Sequence, residues 1–358
     1  MNRRPIPSRG VAASRQHGFS LVELMISLTI GLFLMAGVTA LIVWQSGNRN
    51  ELDKSSRQIE NGRYAIELLA DDIEHAGFYG SFWPPANTTT FTVLNQNTDA
   101  AADPCSTTDH TADLGTAGNF GWINNSTTAP TVPVPIYGYA GAATAPVSCL
   151  ANYQPNTPVI VVRRAATTPL AATSAVAGTT YLQVSNCNTA TAPFVLGTSG
   201  FTMTLKDCAT PAPIFPYVVR IYYVASCNQC GTDTTPTLKV VEFVNGASTV
   251  RPLVEGIQDI QFDYGVDTGN DGSPHVYATD PTSIATYTPV PATSSKWGDV
   301  MAVRVSVLAR NTDQTMSYTD TKTYTLGSRT VAAANDHYKR HVYSQLVRVV
   351  NPSGRRER

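Results

Sequence analysis

The feature that most restricts this chain is one long apolar segment near its amino terminus. Residues 21–44 form a run of 24 positions with a single charged side chain, Glu23. At about 1.5 Å per residue, a helix of this length spans roughly 36 Å, which exceeds the hydrocarbon core of about 30 Å. The segment therefore predicts a helix that crosses a membrane once.

The residues before this segment predict its orientation. Residues 1–18 contain no acid and four arginines, and such a basic flank stays on the cytoplasmic side of a membrane: Arg3, Arg4, Arg9 and Arg15. A secretory signal peptide would have a small-residue cleavage site after a shorter apolar region. Here the apolar region is too long and continues into a helical pattern, so cleavage after it is disfavoured.

The junction between the basic and the apolar residues resembles the cleavage site of prepilins. It reads His17-Gly18-Phe19-Ser20-Leu21-Val22-Glu23. The resemblance implies that a prepilin peptidase cuts between Gly18 and Phe19 and methylates the new Phe19 amine. Residues 1–18 would then be a leader peptide, and the apolar segment, residues 19–44 of the precursor, would remain as an anchor. The alternative is a plain single-span anchor with a coincidental Gly-Phe pair.

Glu23 needs a physical explanation, because a carboxylate inside an apolar helix costs about 2.5 kcal/mol or more in lipid. The nearest expected cation is the mature α-amine of Phe19, whose reference pKa of about 7.7 to 8.0 leaves it largely protonated at neutral pH. In the pilin family, this acid is thought to meet the amine of a neighbouring subunit during assembly. The alternative is that Glu23 lies at the headgroup boundary and is hydrated.

The helix is predicted to continue beyond the membrane to Ala76. Apolar residues recur every seven positions and define one stripe: Leu52, Ile59, Ile66 and Ile73, completed by Leu69 and Ala76. Four glycines mark places where this helix could bend, melt or pack closely: Gly31, Gly37, Gly47 and Gly62. Gly77 is well placed to end the helix as a carboxyl-terminal cap.

Three segments resemble the PilW family of minor pilins. Residues 60–80 begin with Asn-Gly-Arg-Tyr-Ala and end with Ala-Gly-Phe-Tyr-Gly, and weaker resemblance appears at residues 259–272 and 297–305. With the leader, the match is close over residues 14–80. The resemblance implies an α+β pilin fold, in which a long helix at residues 19–80 packs on an antiparallel β-sheet domain at residues 81–358.

The rest of the chain is predicted to be rich in strands after an irregular insertion. Residues 81 to about 158 are rich in Thr, Asn, Ala, Pro and Gly and show little periodicity. Later segments alternate in hydrophobicity, which favours an antiparallel sheet with one covered face. We predict strands at residues 159–163, 201–205, 217–224, 238–244, 257–264, 300–310, 322–326 and 343–350.

Six cysteines predict three disulfide bonds in an oxidising compartment: Cys105, Cys149, Cys187, Cys208, Cys227 and Cys230. The sequence cannot choose among about 15 pairings, although proximity along the chain favours Cys187 with Cys208 and Cys227 with Cys230. The last two cysteines have the spacing of a redox motif. Because the motif follows a strand and no helix is expected to lower a thiol pKa, a structural disulfide is favoured.

Other sites are considered and disfavoured. Asp267, Asn270 and Asp271 could bind calcium, but the EF-hand pattern fails, so a tight turn is favoured. The histidines are too scattered for a metal cluster, and the catalytic motifs that we tested are absent, so we expect no catalytic residue, metal or cofactor. The carboxyl-terminal arginines, Arg355, Arg356 and Arg358, are expected to form a solvated tail.

The function implied by the resemblance is that of a minor pilin of the type IV pilus. Such a subunit would lie in the bacterial inner membrane with a periplasmic carboxyl-terminal domain, prime pilus assembly, enter the pilus at or near its tip, and support adhesion and twitching motility. The implied partners are other minor pilins, the major pilin, a tip adhesin, the prepilin peptidase and the inner-membrane assembly platform. A net charge of −1 gives no reason to expect nucleic acid as a partner.

Three other functions remain open at this point. A minor pseudopilin of a type II secretion system would share the leader, helix and fold. A membrane-anchored periplasmic thiol-disulfide protein would use Cys227 and Cys230. An adhesin in its own right would bind ligands through the Thr-rich loops.

Overall fold

A computed structural model describes Gly18 and residues 20–82, 104–105, 133–190, 193–244, 247–289 and 295–357. The predicted leader (apart from Gly18), Phe19, Arg358 and most of the predicted irregular region lie outside the described residues. The chain divides into two compact units, one ending at Asp53 and the other comprising Lys54–Arg358.

Helix α1 (Leu21–Glu74) confirms the predicted continuation of the apolar segment into a polar one. Its buried face comprises Gln58, Gly62, Ala65, Ile66, Leu69, Ala70, Asp72 and Ile73. The predicted stripe was wrong at its start, because Leu52 and Ile59 are 69% and 46% exposed. A seven-residue repeat drifts about 20° per heptad around a straight helix. The buried face runs from Ile66 through Gly62 to Gln58, so Ile59, one heptad before Ile66, already lies outside it.

The end of α1 has the predicted glycine cap. Gly77 has φ of 75°, a left-handed conformation that glycine adopts without strain. Its N–H donates to the carbonyl oxygen of Arg163 at 3.0 Å, so the chain leaves the helix already bonded to the β domain.

The first sheet has seven strands: β1 (Ile136–Tyr139), β2 (Val159–Ala165), β3 (Tyr181–Val184), β4 (Phe194–Gly197), β5 (Ile214–Ala225), β6 (Thr237–Val244) and β7 (Ala247–Glu255). All pairs are antiparallel. The 12-residue β5 is central and pairs with β2, β3 and β6, while β7 extends the sheet from β6.

The second sheet has four strands in the order β13-β10-β8-β9, again all antiparallel: β8 (Ile257–Val266), β9 (Val276–Ala278), β10 (Val300–Arg310) and β13 (Arg340–Arg348). A hairpin of β11 (Tyr324–Leu326) and β12 (Arg329–Val331) forms a separate two-stranded sheet. The short helix α2 (Val350–Gly354) follows β13. The predicted α+β class, with antiparallel sheets, is confirmed.

One hydrophobic core joins the second half of α1 to both sheets. Trp297 links the sheets, since its ring centroid lies 4.6 Å from that of Tyr137 in β1 and 4.7 Å from that of Tyr264 in β8. Gly138 permits this contact, because a Cβ there would lie 2.0 Å from the Tyr264 hydroxyl.

Residues 201–205, which were predicted as a strand, form only an isolated bridge between Thr204 and Pro211. The Met203 N–H donates to the side-chain oxygen of Gln183 at 2.9 Å, so a side chain replaces a strand partner. Strands β3, β4, β7, β9 and β12 were not predicted, and neither was β1, which lies within the predicted irregular region.

Candidate functional site

The amino-terminal end of α1 carries the candidate assembly residue. Gly18 and Ser20 precede the helix, and Glu23 lies in its first turn. The Ser20 N–H donates to Glu23 Oε2 at 3.4 Å, which is one half of a capping box. Phe19, the predicted methylation site, lies outside the described residues. Within the chain, the Glu23 carboxylate therefore satisfies one of the helix's free N–H groups.

The first turns of α1 present apolar side chains on all faces. Every described residue from Ser20 to Asn50 is exposed, including Leu21, Phe33 and Trp44. By length and composition, α1 contains a segment that can cross a membrane. Exposing so many apolar side chains to water is unfavourable, so this segment needs a surrounding of lipid or of other apolar helices.

Asp72 fastens α1 to the first sheet. Its side chain is 1% exposed. The carboxylate accepts hydrogen bonds from Arg164 Nε at 2.6 Å, Arg220 Nη1 at 3.1 Å and the Tyr222 hydroxyl at 2.9 Å. Arg220 also contacts Glu242 at 2.7 Å. Burial and the neighbouring Asp72 carboxylate raise the pKa of Tyr222, so its hydroxyl stays a donor. The buried charge is thus paired with charges on β2 and β5.

Sequence reasoning missed Asp72, although a signal exists. Asp72 lies three residues after Leu69 and directly before Ile73, on the face that the core covers. An acid on the apolar face of a helix is expected to have a buried cationic partner.

At Gly62, the backbone of α1 lies close to the second sheet. A Cβ at this position would lie 2.2 Å from Cε2 of Tyr343 in β13. The sequence suggested that Gly62 could mark a bend, melting or close packing, and the structure shows close packing within an unbroken helix. Nearby, the Gln58 side-chain amide donates to the carbonyl oxygens of Ala309 and Lys339 at 2.9 and 3.1 Å.

A cleft of about 420 Å³ lies where α1, β13 and the segment before β11 meet. Its lining includes five basic or imidazole side chains: Arg63, Lys322, Lys339, Arg340 and His341. Arg340 is ion-paired with Asp320 and Asp336, whereas Arg63 and Lys322 are exposed. A chain of net charge −1 therefore carries a local basic surface beside α1.

The carboxyl-terminal end is docked, which corrects the expected solvated tail. Arg356 Nη2 contacts Asp299 Oδ1 at 2.5 Å and Arg356 Nη1 lies 3.5 Å from Asp267 Oδ2. Asn351 donates to the carbonyl oxygens of His75 and Ala76 at 3.3 and 3.2 Å, so α2 caps the carboxyl end of α1. Of the other two arginines, Arg355 is exposed and Arg358 lies outside the described residues.

The loop considered for calcium is a turn built around Asp267. The buried Asp267 carboxylate accepts N–H groups of Gly269, Asp271 and Gly272 at 3.0, 3.3 and 2.9 Å. Asp267, Asp271 and His275 could bring three ligand atoms within 4.8 Å. Because Asp267 already accepts three backbone hydrogen bonds and faces Arg356, a turn explains it without a metal.

All six cysteines form disulfide bonds: Cys105–Cys149, Cys187–Cys208 and Cys227–Cys230. The two pairs that proximity along the chain favours are both present. The first bond joins residues 44 positions apart and connects Cys105 to the segment after β1.

Comparisons with known proteins match two parts of the chain. Residues 221–351 match the family model described as Type IV Pilus-assembly protein W, and residues 13–39 match the Prokaryotic N-terminal methylation motif. No curated protein and no solved structure matches the chain. Residues 60–80 lie between the two matched regions, so the resemblance seen there stays a prediction.

Proposed function

We propose that the chain is a minor pilin of the PilW family that primes pilus assembly at the inner membrane, because residues 221–351 match the PilW model and residues 13–39 match the methylation motif. It would enter the pilus at or near the tip and support adhesion and twitching motility. The observation that carries the proposal is a methylation motif that overlaps the start of a helix long and apolar enough to cross a membrane.

The proposed processing step is cleavage between Gly18 and Phe19 by a prepilin peptidase, with methylation of the new amine. Cleavage would place a cation one residue before Ser20, whose N–H already contacts Glu23. A carboxylate in lipid is strongly destabilised unless it is paired. The pairing of Glu23 with the Phe19 amine of a neighbouring subunit would therefore favour assembly over isolated residence in the membrane.

The proposed partners follow from this placement. The exposed apolar part of α1 would pack with the helices of other minor pilins and of the major pilin, while the inner-membrane platform drives assembly. The domain from Lys54 onward would face the periplasm, where disulfide bonds persist. A tip adhesin would contact this domain in the assembled pilus.

The test is to express the chain with and without a prepilin peptidase and to measure the mature amino terminus by mass spectrometry. We expect methylated Phe19 only with the peptidase. Glu23→Ala and Glu23→Gln should both be cleaved and yet fail to enter pili, whereas Glu60→Gln on the exposed face of α1 should enter them. An uncleaved chain, or pili that contain Glu23→Ala at the normal level, would overturn the proposal.

A further inference from the structure

The loop between β5 and β6 contains the Cys227–Cys230 disulfide bond, which lies next to a buried lysine. Cys227 is buried and Cys230 is exposed, and their Cα atoms lie 5.0 Å apart. The two residues are only three positions apart, compared with 21 and 44 for the other two pairs. Because a disulfide stabilises a fold more when it closes a longer loop, this bond contributes the least to holding the domain together.

Lys239 on β6 places its ammonium group against this bond. The residue is 6% exposed, and its Nζ lies 3.4 Å from Cys230 Sγ and 3.0 Å from the Asn228 carbonyl oxygen. Burial lowers the Lys239 pKa, and the Asp233 carboxylate partly opposes this. A neutral disulfide sulfur is a poor partner for a buried ammonium, whereas a thiolate at Cys230 would be a full counterion.

The acids around the loop have other partners. Asp233 accepts the N–H groups of Asn228 and Thr235 at 2.9 and 2.8 Å, and these bonds hold its pKa low. The side-chain Nδ2 of Asn228 lies 3.5 Å from Glu255 Oε2. Among the described residues, neither carboxylate lies within ion-pair distance of Lys239, so Asp233 acts on it only from farther away. The hydrogen-bond partners of Lys239 Nζ are the Asn228 carbonyl oxygen and Cys230 Sγ.

We propose that Cys227–Cys230 is a redox-active disulfide that oxidises protein dithiols, with Cys230 as the exchanging sulfur and Lys239 as the group that stabilises its thiolate. The sequence lacked a feature that would activate this motif, and Lys239, nine residues later on the neighbouring strand, supplies it. This activity is separate from pilus assembly and does not depend on it.

The reaction runs in two exchange steps. A substrate thiolate attacks the exposed Cys230 Sγ, the Cys227–Cys230 bond breaks, and the electron pair leaves on Cys227, which takes a proton. The second substrate thiolate then attacks the substrate sulfur of the mixed disulfide, forms the substrate disulfide and releases Cys230 as a thiolate beside Lys239. The substrate loses two electrons and two protons; Cys227 keeps one proton, and the other passes to solvent.

The second disulfide provides an internal comparison. The sulfurs of Cys187 and Cys208 contact neutral groups, the Thr189 hydroxyl at 3.1 and 3.8 Å and the Asn188 side-chain oxygen at 3.8 Å. Neutral groups stabilise a thiolate far less than an ammonium does. Stabilising the reduced form makes a disulfide a stronger oxidant, so the bond beside Lys239 should be the more easily reduced.

To test this, the full-length chain in detergent is equilibrated with glutathione redox buffers, quenched with acid and alkylated. Mass spectrometry then measures the reduced fraction of each disulfide bond. We expect Cys227–Cys230 to be reduced at glutathione ratios at which the other two bonds stay oxidised. Lys239→Met should lower the equilibrium constant for its reduction about tenfold, whereas Lys206→Met, a change close to Cys208, should leave all three bonds unchanged.

A second measurement follows the Cys230 thiol directly. In Cys227→Ser, iodoacetamide should alkylate Cys230 with a midpoint below the usual thiol pKa of about 8.5, and adding Lys239→Met should restore that value. Reduction of all three bonds together, or no effect of Lys239→Met on either measurement, would overturn the proposal. Cys227–Cys230 would then be a structural disulfide only. If the Lys239 variant does not fold, the order of reduction in the unchanged chain still decides.

Discussion

Asp72 is the residue on which the attachment of α1 to the first sheet most depends. Asp72→Ala removes a carboxylate that pairs with two arginines and a tyrosine and leaves Arg164 and Arg220 partly buried without it. Breaking a buried ion pair from one side costs about 3–5 kcal/mol. We expect a loss of this size in the free energy of unfolding, measured by thermal or denaturant unfolding of the detergent-solubilised chain.

Asp71→Ala is the matched control for this prediction. Asp71 is the preceding residue, has the same side chain and is 72% exposed. Exposed ion pairs contribute about 0–1 kcal/mol, so this change should cost less than about 1 kcal/mol. Equal losses for the two variants would contradict the role given to Asp72.

At the scale of single residues, the sequence predicted those roles that depend on neighbouring residues along the chain. Gly77 as a helix cap depends only on its position after the last helical turn. Asp72 depends instead on partners that are 92 to 150 residues away along the chain, and Lys239 on a partner nine residues away on the preceding loop. Such contacts exist only after the sheets have formed, so spacing along the sequence does not reveal them.

At the scale of elements, the segment between β10 and β13 is held by Arg340. Its guanidinium contacts Asp320 at 2.8 Å and Asp336 at 2.5 Å, and Tyr318 and Tyr324 also donate to Asp320. The hydrogen bond from Arg340 lowers the pKa of Asp336, although partial burial opposes this. The charged carboxylate is therefore the form that stabilises the fold.

The ion pair of Asp336 with Arg340 makes the stability of the fold depend on pH. A folded-state pKa below the unfolded value of about 3.9 gives stability that is present above pH 3.9 and is lost as the pH falls through the folded pKa. We expect the melting temperature to fall below about pH 4 and Asp336→Asn to reduce this fall. Asp313→Asn, a change of an exposed acid in the same segment, should keep the full pH dependence. An unchanged pH profile in Asp336→Asn would contradict the assignment.

Strands were predictable where the alternation was long and uniform. The predicted bounds of β10, residues 300–310, match the structure, and β2, β5 and β8 were located to within a few residues. Short strands such as β4 and β9 have only three or four residues, too few for a period of two to stand out. Residues 201–205 had the alternation of a strand, but they form only the isolated bridge from Thr204 to Pro211, and the Met203 N–H is bonded to the Gln183 side chain.

At the scale of the whole molecule, the Gly18-Phe19 junction and residues 60–80 predicted the PilW family, whereas the arrangement of the β domain did not follow from the sequence. The sequence predicts several alternating strands without stating which are neighbours. The separation into a seven-stranded and a four-stranded sheet depends on long-range pairings, such as β10 with both β8 and β13. The two matched regions cover the methylation motif and the chain from β5 to α2, the parts where sequence patterns are strongest.

The division of the chain predicts where it can be shortened. Lys54–Arg358 forms one compact unit, and the core-facing residues of α1 start at Gln58. A chain that begins at Lys54 should therefore fold in water without detergent and keep all three disulfide bonds. Near-ultraviolet circular dichroism should show fixed aromatic packing, and the protein should be monomeric by light scattering.

A chain that begins at Gly77 is the matched comparison, because it removes the rest of α1. It lacks Ile66, Leu69 and Ile73, which are buried against the sheets, and it leaves Arg164 and Arg220 without Asp72. Fully burying one Leu or Ile side chain contributes about 1.5–3 kcal/mol. Losing three such side chains would therefore remove a large part of the roughly 5–15 kcal/mol by which a typical domain is stable. This shorter chain should aggregate or lose its near-ultraviolet signal. If it folds as well as the chain from Lys54, then α1 is only an anchor and not a part of the domain's core.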